Sequence, residues 1–133
     1  LVKSGVQAKG KVILGTVKGD LHDIGKNLVR MMMEGKGLEV IDLGVDVPAE
    51  KFIDAAMSNN AGIIACSALL TTTMIEMKNI VEKVKASPIA DKVKIMIGGA
   101  PVTENFRASI GADVYTADAA SAAEEALALC TAS

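Results

Sequence analysis

Segments typical of β-strands and segments typical of α-helices alternate along this chain of 133 residues, with little between them. Each predicted strand is a short apolar run, and a stretch with helical spacing of apolar residues follows it. The predicted strands are Val12–Val17, Leu38–Leu43, Gly62–Cys66, Val93–Ile97 and Ala112–Tyr115. This alternation predicts a parallel sheet with helices on both faces. Because crossovers are right-handed, few arrangements remain, and we predict an α/β, flavodoxin-like (Rossmann-like) fold with five strands in the order 2-1-3-4-5.

The helices are predicted from apolar spacing and from residues that begin or end helices. The first spans Ile24–Glu34, with Met31–Met33 expected to pack in the core. Pro48 fits the first turn of the second helix. Two pairs fit capping boxes and predict the starts of the third and last helices. These pairs are Thr73 with Glu76, and Ser121 with Glu124. The fourth helix is predicted at Val102–Ser109 and the last one ends near Leu129.

Charge and composition exclude several classes of partner. The formal charge is −2, with 14 basic and 16 acidic residues, whereas nucleic-acid binders normally carry a basic excess. No apolar stretch approaches the roughly 20 residues that span a bilayer, and no signal peptide opens the chain. Cys66 and Cys130 match no paired metal spacing, and Cys66 is expected to be buried. We therefore expect a cytoplasmic domain over residues 11–133 with no nucleic-acid or membrane partner, preceded by a linker remnant over residues 1–10.

The single histidine of the chain, His22, follows the first predicted strand and lies between Asp20 and Asp23. Open α/β sheets bind ligands at the carboxyl ends of their strands, and histidine is the commonest metal ligand. Small or polar residues follow the other predicted strands at the same edge. They are Ser67 and Thr71, Gly98 and Gly99, and Tyr115–Ala117. This set predicts one site, although loop turns and helix caps explain each member alone, and His22 could be a surface histidine.

Three common kinds of site do not fit the pattern around His22. Gly19 and Gly25 are separated by five residues rather than the four of a P-loop, and Asn27 stands where a P-loop needs Ser or Thr. No G-x-G-x-x-G motif supports a dinucleotide site. One histidine cannot form a His-rich zinc site, so a metal at His22 must bring most of its ligands with it.

Three separated motifs resemble those of cobalamin-binding domains over about residues 11–130. They are Asp20-x-His22-x-x-Gly25, Ser67-x-Leu69 and Gly98-Gly99. The run from Thr16 to Asn27 is similar to the methyl-carrying branch, which includes methionine synthase and the small corrinoid proteins of methanol, methylamine and O-demethylase systems. Ile24 stands where the mutases usually have arginine. The run from Cys66 to Met74 is more similar to the small corrinoid proteins than to methionine synthase. Those proteins usually have an N-terminal helical cap, which is expected to lie outside this chain.

The resemblance implies roles for individual residues. His22 would be the lower cobalt ligand in place of the cofactor's own base (base-off, His-on cobalamin, carried as methylcobalamin). Asp20 would bind the other imidazole nitrogen, and Ser67 would extend this catalytic relay. Further residues would contact the corrinoid or line a slot for its nucleotide tail. They are Gly19, Leu21, Asp23, Ile24, Gly25, Leu69, Thr71, Gly98, Gly99, Tyr115, Thr116 and Ala117. Asp23 has an alternative role as a helix N-cap.

The function implied by the resemblance is a methyl carrier without a complete active site of its own. A substrate-specific methyltransferase would load cobalt from a small C1 donor. An acceptor methyltransferase would pass the methyl group to tetrahydrofolate or a thiol coenzyme, and a reductive activator would restore the cobalt. Three alternatives remain open. They are the cobalamin domain of methionine synthase or a mutase, a cobalamin-binding sensor, and a flavodoxin-like domain that binds no corrin.

Overall fold

The structure, a computed structural model, describes residues 10–131, so nearly all of the predicted linker lies outside the described residues. The strands are β1 (Lys11–Thr16), β2 (Glu39–Asp42), β3 (Ile63–Ser67), β4 (Lys94–Gly98) and β5 (Val114–Tyr115). The helices are α1 (Ile24–Gly35), α2 (Ala49–Asn59), α3 (Ile75–Lys85), α4 (Glu104–Ile110) and α5 (Ala119–Thr131), with a 3₁₀ turn at Thr71–Thr73 before α3. The strands are all parallel, in the order β2-β1-β3-β4-β5. The predicted flavodoxin-like fold is therefore confirmed.

The sheet separates two apolar layers because successive side chains of a strand point to opposite faces. Ile13 and Ile64 pack with Phe52 on the face covered by α2, α3 and α4. Val12 and Leu14 pack on the other face, with the alanines of α5 and with Met33 of α1. Cys66 is buried as expected. Among the described residues, no helix has both the length and the apolar content needed to cross a membrane.

Both predicted capping boxes are wrong. The helix α3 begins after Met74 without a side-chain cap, and the Thr73 hydroxyl bonds elsewhere. The helix α5 begins two residues before Ser121, and the Ser121 N–H donates to Oδ1 of Asp118 at 2.7 Å. A carboxylate is a stronger acceptor than a hydroxyl, so an aspartate three residues upstream takes the capping position.

The apolar stripe of α1, which consists of Ile24, Leu28, Met31 and Met32, does not face the core. Ile24 is 85% exposed, Met31 and Met32 are also exposed, and only Met33 of the three methionines is buried, so the predicted core packing holds for Met33 alone. The residue that α1 buries instead is Lys26, which is 3% exposed and donates from Nζ to Oδ2 of Asp42 at 2.7 Å. The apolar side chains of the stripe therefore lie on a surface of α1 that does not contact the core.

Candidate functional site

The loop between β1 and α1 places a buried carboxylate beside an exposed imidazole. Gly19 has a φ of 84°, which favours glycine and turns the chain back on itself. Asp20 is fully buried, whereas the side chain of His22 is 54% exposed. The Thr16 hydroxyl donates to the carbonyl of His22 at 2.9 Å and fixes the end of the loop.

The Asp20 carboxylate accepts five hydrogen bonds. Oδ1 accepts from His22 twice, from the backbone N–H at 3.1 Å and from Nδ1 at 3.0 Å. Oδ2 accepts from the N–H groups of Leu69 at 2.7 Å and Leu70 at 3.2 Å, and from the Thr73 hydroxyl at 2.9 Å. Burial alone would raise the pKa of Asp20, but the bonds from Leu69, His22 and Thr73 outweigh it and hold that pKa well below its ordinary value of 3.8.

The ionised carboxylate determines which imidazole nitrogen is available to a ligand. Asp20 can only accept hydrogen bonds, so Nδ1 of His22 must carry a proton. In the neutral ring the lone pair is then on Nε2, which is the donor atom left for a metal. Cys66 is a poor alternative metal ligand, since burial raises the pKa of its thiol to about 12. Within residues 10–131, no three His, Cys, Asp or Glu side chains form a metal-binding group.

A cavity of about 590 Å³ opens beside His22 at the carboxyl edge of the sheet. It runs between the sheet and the two helices α1 and α5, and its floor includes Leu14, Ala65 and Met96. Most of the predicted site residues line it. These are Leu21, His22, Asp23, Ile24, Gly25, Ser67, Leu69, Gly98, Gly99, Thr116 and Ala117. Sequence reasoning missed Lys26, Leu28, Val29 and Asp118, which also line it. The exposed stripe of α1 therefore forms part of the cavity wall.

Two residues that were predicted to line the slot do not line this cavity. Thr71 is exposed and does not line the cavity. Tyr115 packs against the core on the α2–α4 side of the sheet, beside its β4 partner Ile97. Because side chains alternate along a strand, the next residue, Thr116, points to the opposite face and lines the cavity instead.

Four other predicted residues occupy positions that differ from those expected of them. Ser67 lines the cavity but donates no hydrogen bond to Asp20, so Thr73 has the relay position that was predicted for Ser67. Asp23 occupies the N-cap position of α1 without a capping side-chain bond. Gly19 and Asp20 lie behind the cavity wall rather than in it. The signal for Thr73 was the run of three threonines at the edge where Asp20 also lies.

The glycines of the site serve different purposes. A Cβ at Gly99, where φ is 130°, would lie 1.9 Å from the carbonyl oxygen of Ala68. Gly99 is thus required by the packing of the protein's own backbone, a reason that the sequence did not reveal. A Cβ at Gly25 would meet nothing within 4 Å, although Gly25 lines the cavity. The space beside Gly25 is therefore open to a ligand.

The fold and the site together define a flavodoxin-like ligand-binding domain that presents one oriented imidazole at the carboxyl edge of its sheet. Residues 10–128 match the family model described as "B12 binding domain". The chain belongs to the family of B12-binding domains.

The chain is similar to corrinoid proteins of known sequence and structure. It is 46% identical over 117 residues to "Dimethylamine corrinoid protein 3" of Methanosarcina mazei, covering 88% of this chain and 70% of that protein. A cobalamin-binding protein from Desulfitobacterium hafniense superposes with a TM-score of 0.86 at 40% identity, over 90% of this chain and 58% of that one. The methanol:cobalamin methyltransferase complex MtaBC of Methanosarcina barkeri matches with a TM-score of 0.91 at 33% identity, over 98% and 50%. The chain therefore spans about half to 70% of the length of these relatives.

Proposed function

We propose that this domain carries a methyl group on the cobalt of a corrinoid between two methyltransferases, with Nε2 of His22 as the lower cobalt ligand. The observation that carries the proposal is the bond between Nδ1 of His22 and the buried Asp20 carboxylate, which leaves Nε2 free beside the cavity. A corrinoid would supply the cobalt that accepts and donates the methyl group. The corrin ring also supplies four nitrogen ligands, so one imidazole is enough from the protein.

The apolar surface beside His22 fits a corrinoid. Ile24 and Leu28 are exposed although they belong to the apolar stripe of α1, and both line the cavity together with Leu69. Covering such side chains contributes about 25 cal/mol for each Å² removed from water. Gly25 adds open space where any side chain would project. We propose that the corrin contacts these residues and that the displaced nucleotide tail enters the cavity between α1 and α5.

The residues behind His22 would tune its strength as a ligand. The ionised Asp20 stabilises the proton on Nδ1, which makes Nε2 a better donor. Thr73 and the N–H groups of Leu69 and Leu70 keep Asp20 ionised and fixed. A proton taken up at Nε2 would occupy the lone pair and release the metal, while Asp20 retains its bond to Nδ1. Ser67 and Thr116 would contact the corrinoid from the cavity wall.

The similar proteins support a methyltransferase as a partner of this domain. We propose a substrate-specific methyltransferase that draws on a small C1 donor of the methylamine or methanol type, since corrinoid proteins named for dimethylamine and a methanol methyltransferase complex are similar to this chain. An acceptor methyltransferase would use tetrahydrofolate or a thiol coenzyme, and a reductive activator and an N-terminal helical cap would complete the system. We place this system in the cytoplasm, in keeping with the free thiols of Cys66 and Cys130.

Electron paramagnetic resonance of the cobalt(II) form tests the ligand directly. The chain contains one histidine, so protein grown with ¹⁵N-histidine and loaded with hydroxocobalamin carries the label at His22 alone. After reduction, we expect the nitrogen hyperfine splitting to change from a triplet in unlabelled protein to a doublet in labelled protein. His22→Ala should lose this coupling, while the exposed control Lys92→Ala should keep it. An unchanged triplet in the labelled protein would contradict ligation by His22, and failure to bind hydroxocobalamin would contradict the whole proposal.

A further inference from the structure

We propose that Asp46, in the loop between β2 and α2, is a positioning residue that holds Asp20 and His22 in the geometry needed to ligate cobalt. The inference rests on the proposed function. Asp46 belongs to none of the three motifs that resemble those of cobalamin-binding domains, and it does not line the cavity. Asp46 would act only through Asp20, because its own side chain is on the exposed side of the loop.

Asp46 binds the backbone on both sides of the Asp20 peptide unit. Its Oδ1 accepts a short hydrogen bond from the N–H of Gly19 at 2.7 Å. Its own N–H donates to the carbonyl of Asp20 at 2.9 Å. The Asp20 side chain is held from the β3 side by Leu69, Leu70 and Thr73. Asp46 thus fixes the backbone of Asp20 while the β3–α3 segment fixes its carboxylate.

The backbone conformation at Asp46 restricts which residue types fit this position. Asp46 has a φ of 54°, in the left-handed region that few residues other than glycine, asparagine and aspartate adopt readily. It faces Gly19, which is also left-handed. The neighbouring Val47 donates to the carbonyl of Thr16 at 3.0 Å, so the two loops run side by side. In this contact between the loops, Asp46 contributes the side-chain hydrogen bond.

The path from Asp46 to the ligand is short. Asp46 orients the backbone of Gly19 and Asp20, and Oδ1 of Asp20 binds both the N–H and Nδ1 of His22. If the backbone of Asp20 rotates, Oδ1 moves relative to the imidazole, because a single CH₂ group joins the carboxylate to that backbone. Loss of the Asp46 acceptor should therefore reach His22 as a local opening rather than as global unfolding.

Two substitutions separate the hydrogen bond from the backbone conformation. Asp46→Asn keeps an acceptor oxygen and a residue type that tolerates positive φ, whereas Asp46→Gly keeps the backbone freedom and removes the acceptor. In the protein without corrinoid, we expect the His22 amide to exchange with deuterium about fivefold faster in Asp46→Gly, the change that corresponds to one lost hydrogen bond. Asp46→Asn should match the parent. The amide of Ile64 in the buried strand β3 serves as the internal reference and should not change.

The cobalt(II) spectrum of ¹⁵N-histidine-labelled protein provides the second readout. Asp46→Gly should show a smaller fraction of cobalt with the His22 doublet than the parent and Asp46→Asn do. Unchanged His22 exchange in Asp46→Gly, or faster exchange with an unchanged doublet, overturns the positioning role. So does a loss in Asp46→Asn as large as in Asp46→Gly. If the parent itself shows no doublet, the proposed function fails, whereas the exchange data still test whether Asp46 holds the Asp20–His22 pair.

Discussion

Asp20 and His22 are joined twice through one oxygen atom, since Oδ1 of Asp20 accepts from the backbone N–H of His22 at 3.1 Å and from its Nδ1 at 3.0 Å. A side chain that binds both the backbone and the ring of the same neighbour fixes the ring relative to the chain. The imidazole is therefore oriented before any ligand arrives, which lowers the conformational entropy lost on binding.

Replacement of Asp20 should destabilise the fold as well as the site. In Asp20→Asn one oxygen becomes an NH₂ group, which faces N–H donors or the imidazole instead of accepting from them. Because the carboxylate is fully buried, we expect the free energy of unfolding at pH 7 to fall by about 3 kcal/mol. Urea denaturation followed by circular dichroism measures this. A variant as stable as the parent would show that the five hydrogen bonds contribute little.

The same carboxylate should make the stability of the parent depend on acid pH. The native pKa of Asp20 lies below its ordinary value of 3.8, so its stabilising contribution is complete above that value and is lost as the pH falls through the lowered native pKa. The difference in unfolding free energy between the parent and Asp20→Asn should shrink as the pH is lowered from about 5 to about 2. Urea titrations at several pH values test this. A difference that stays constant over this range would contradict the lowered pKa.

Thr73 and Thr71 provide a matched pair in one turn. Thr73 is buried with its hydroxyl on Asp20, whereas Thr71 is exposed. Thr73→Val removes a donor to a buried carboxylate, and we expect it to reduce the free energy of unfolding by about 2 kcal/mol. Thr71→Val should leave stability nearly unchanged. Chemical denaturation of both variants measures the effect, and equal losses would show that the contact between Thr73 and Asp20 is not what stabilises the turn.

Gly25 and Gly35 test whether the cavity holds the corrinoid. Both belong to α1 and have free space where a Cβ would lie, but Gly25 alone lines the cavity. Each change to alanine should raise the free energy of unfolding by about 0.5 kcal/mol, since alanine favours helices over glycine. Gly25→Ala should weaken hydroxocobalamin binding about tenfold through overpacking against the ligand. Gly35→Ala should bind like the parent in equilibrium dialysis. Equal affinities for the two variants would place the corrinoid away from Gly25.

Lys26 should contribute more to stability than other lysines in ion pairs. Its Nζ is buried against Oδ2 of Asp42 at 2.7 Å. Lys26→Ala would leave the half-buried carboxylate of Asp42 with Arg30 as a weaker ion-pair partner. We therefore expect a loss of about 3 kcal/mol in the free energy of unfolding. The control Lys83→Ala breaks an ion pair with Glu50 in which both side chains are largely exposed, and should change little. Similar losses in the two variants would contradict a special role for the buried pair.

The sheet could be predicted from the sequence because buried parallel strands are continuous apolar runs. Ile63–Ser67 and Lys94–Gly98 lie within one residue of their predicted positions. The face of the sheet to which a side chain points is harder to predict, since it depends on the register of the strand. Tyr115 and Thr116 are adjacent, yet only Thr116 reaches the cavity, because Tyr115 packs against the core on the α2–α4 side of the sheet.

Local rules failed where a distant residue competed for the same group. The spacing of Thr73 and Glu76 fits a capping box, but α3 begins after Met74, and the Thr73 hydroxyl is oriented to donate to the Asp20 carboxylate, 53 residues away in the chain. Likewise, an apolar stripe on a helix predicts core contact only when the core is its sole apolar partner. On α1, Ile24 and Leu28 line the cavity, whereas Met31 and Met32, which were predicted to pack in the core, are exposed.

The two oxygens of the Asp20 carboxylate have different partners, and this difference affects how the domain can change during evolution. Oδ2 ties the β1–α1 loop to the segment that carries Leu69 and Thr73, while Oδ1 alone serves the imidazole. A mutation of His22 removes one bond at Oδ1 and leaves the tie intact, so a descendant could lose or exchange this imidazole and still fold. A mutation of Asp20 breaks both connections at once. Selection for folding alone would therefore retain Asp20 after His22 had been replaced by another residue.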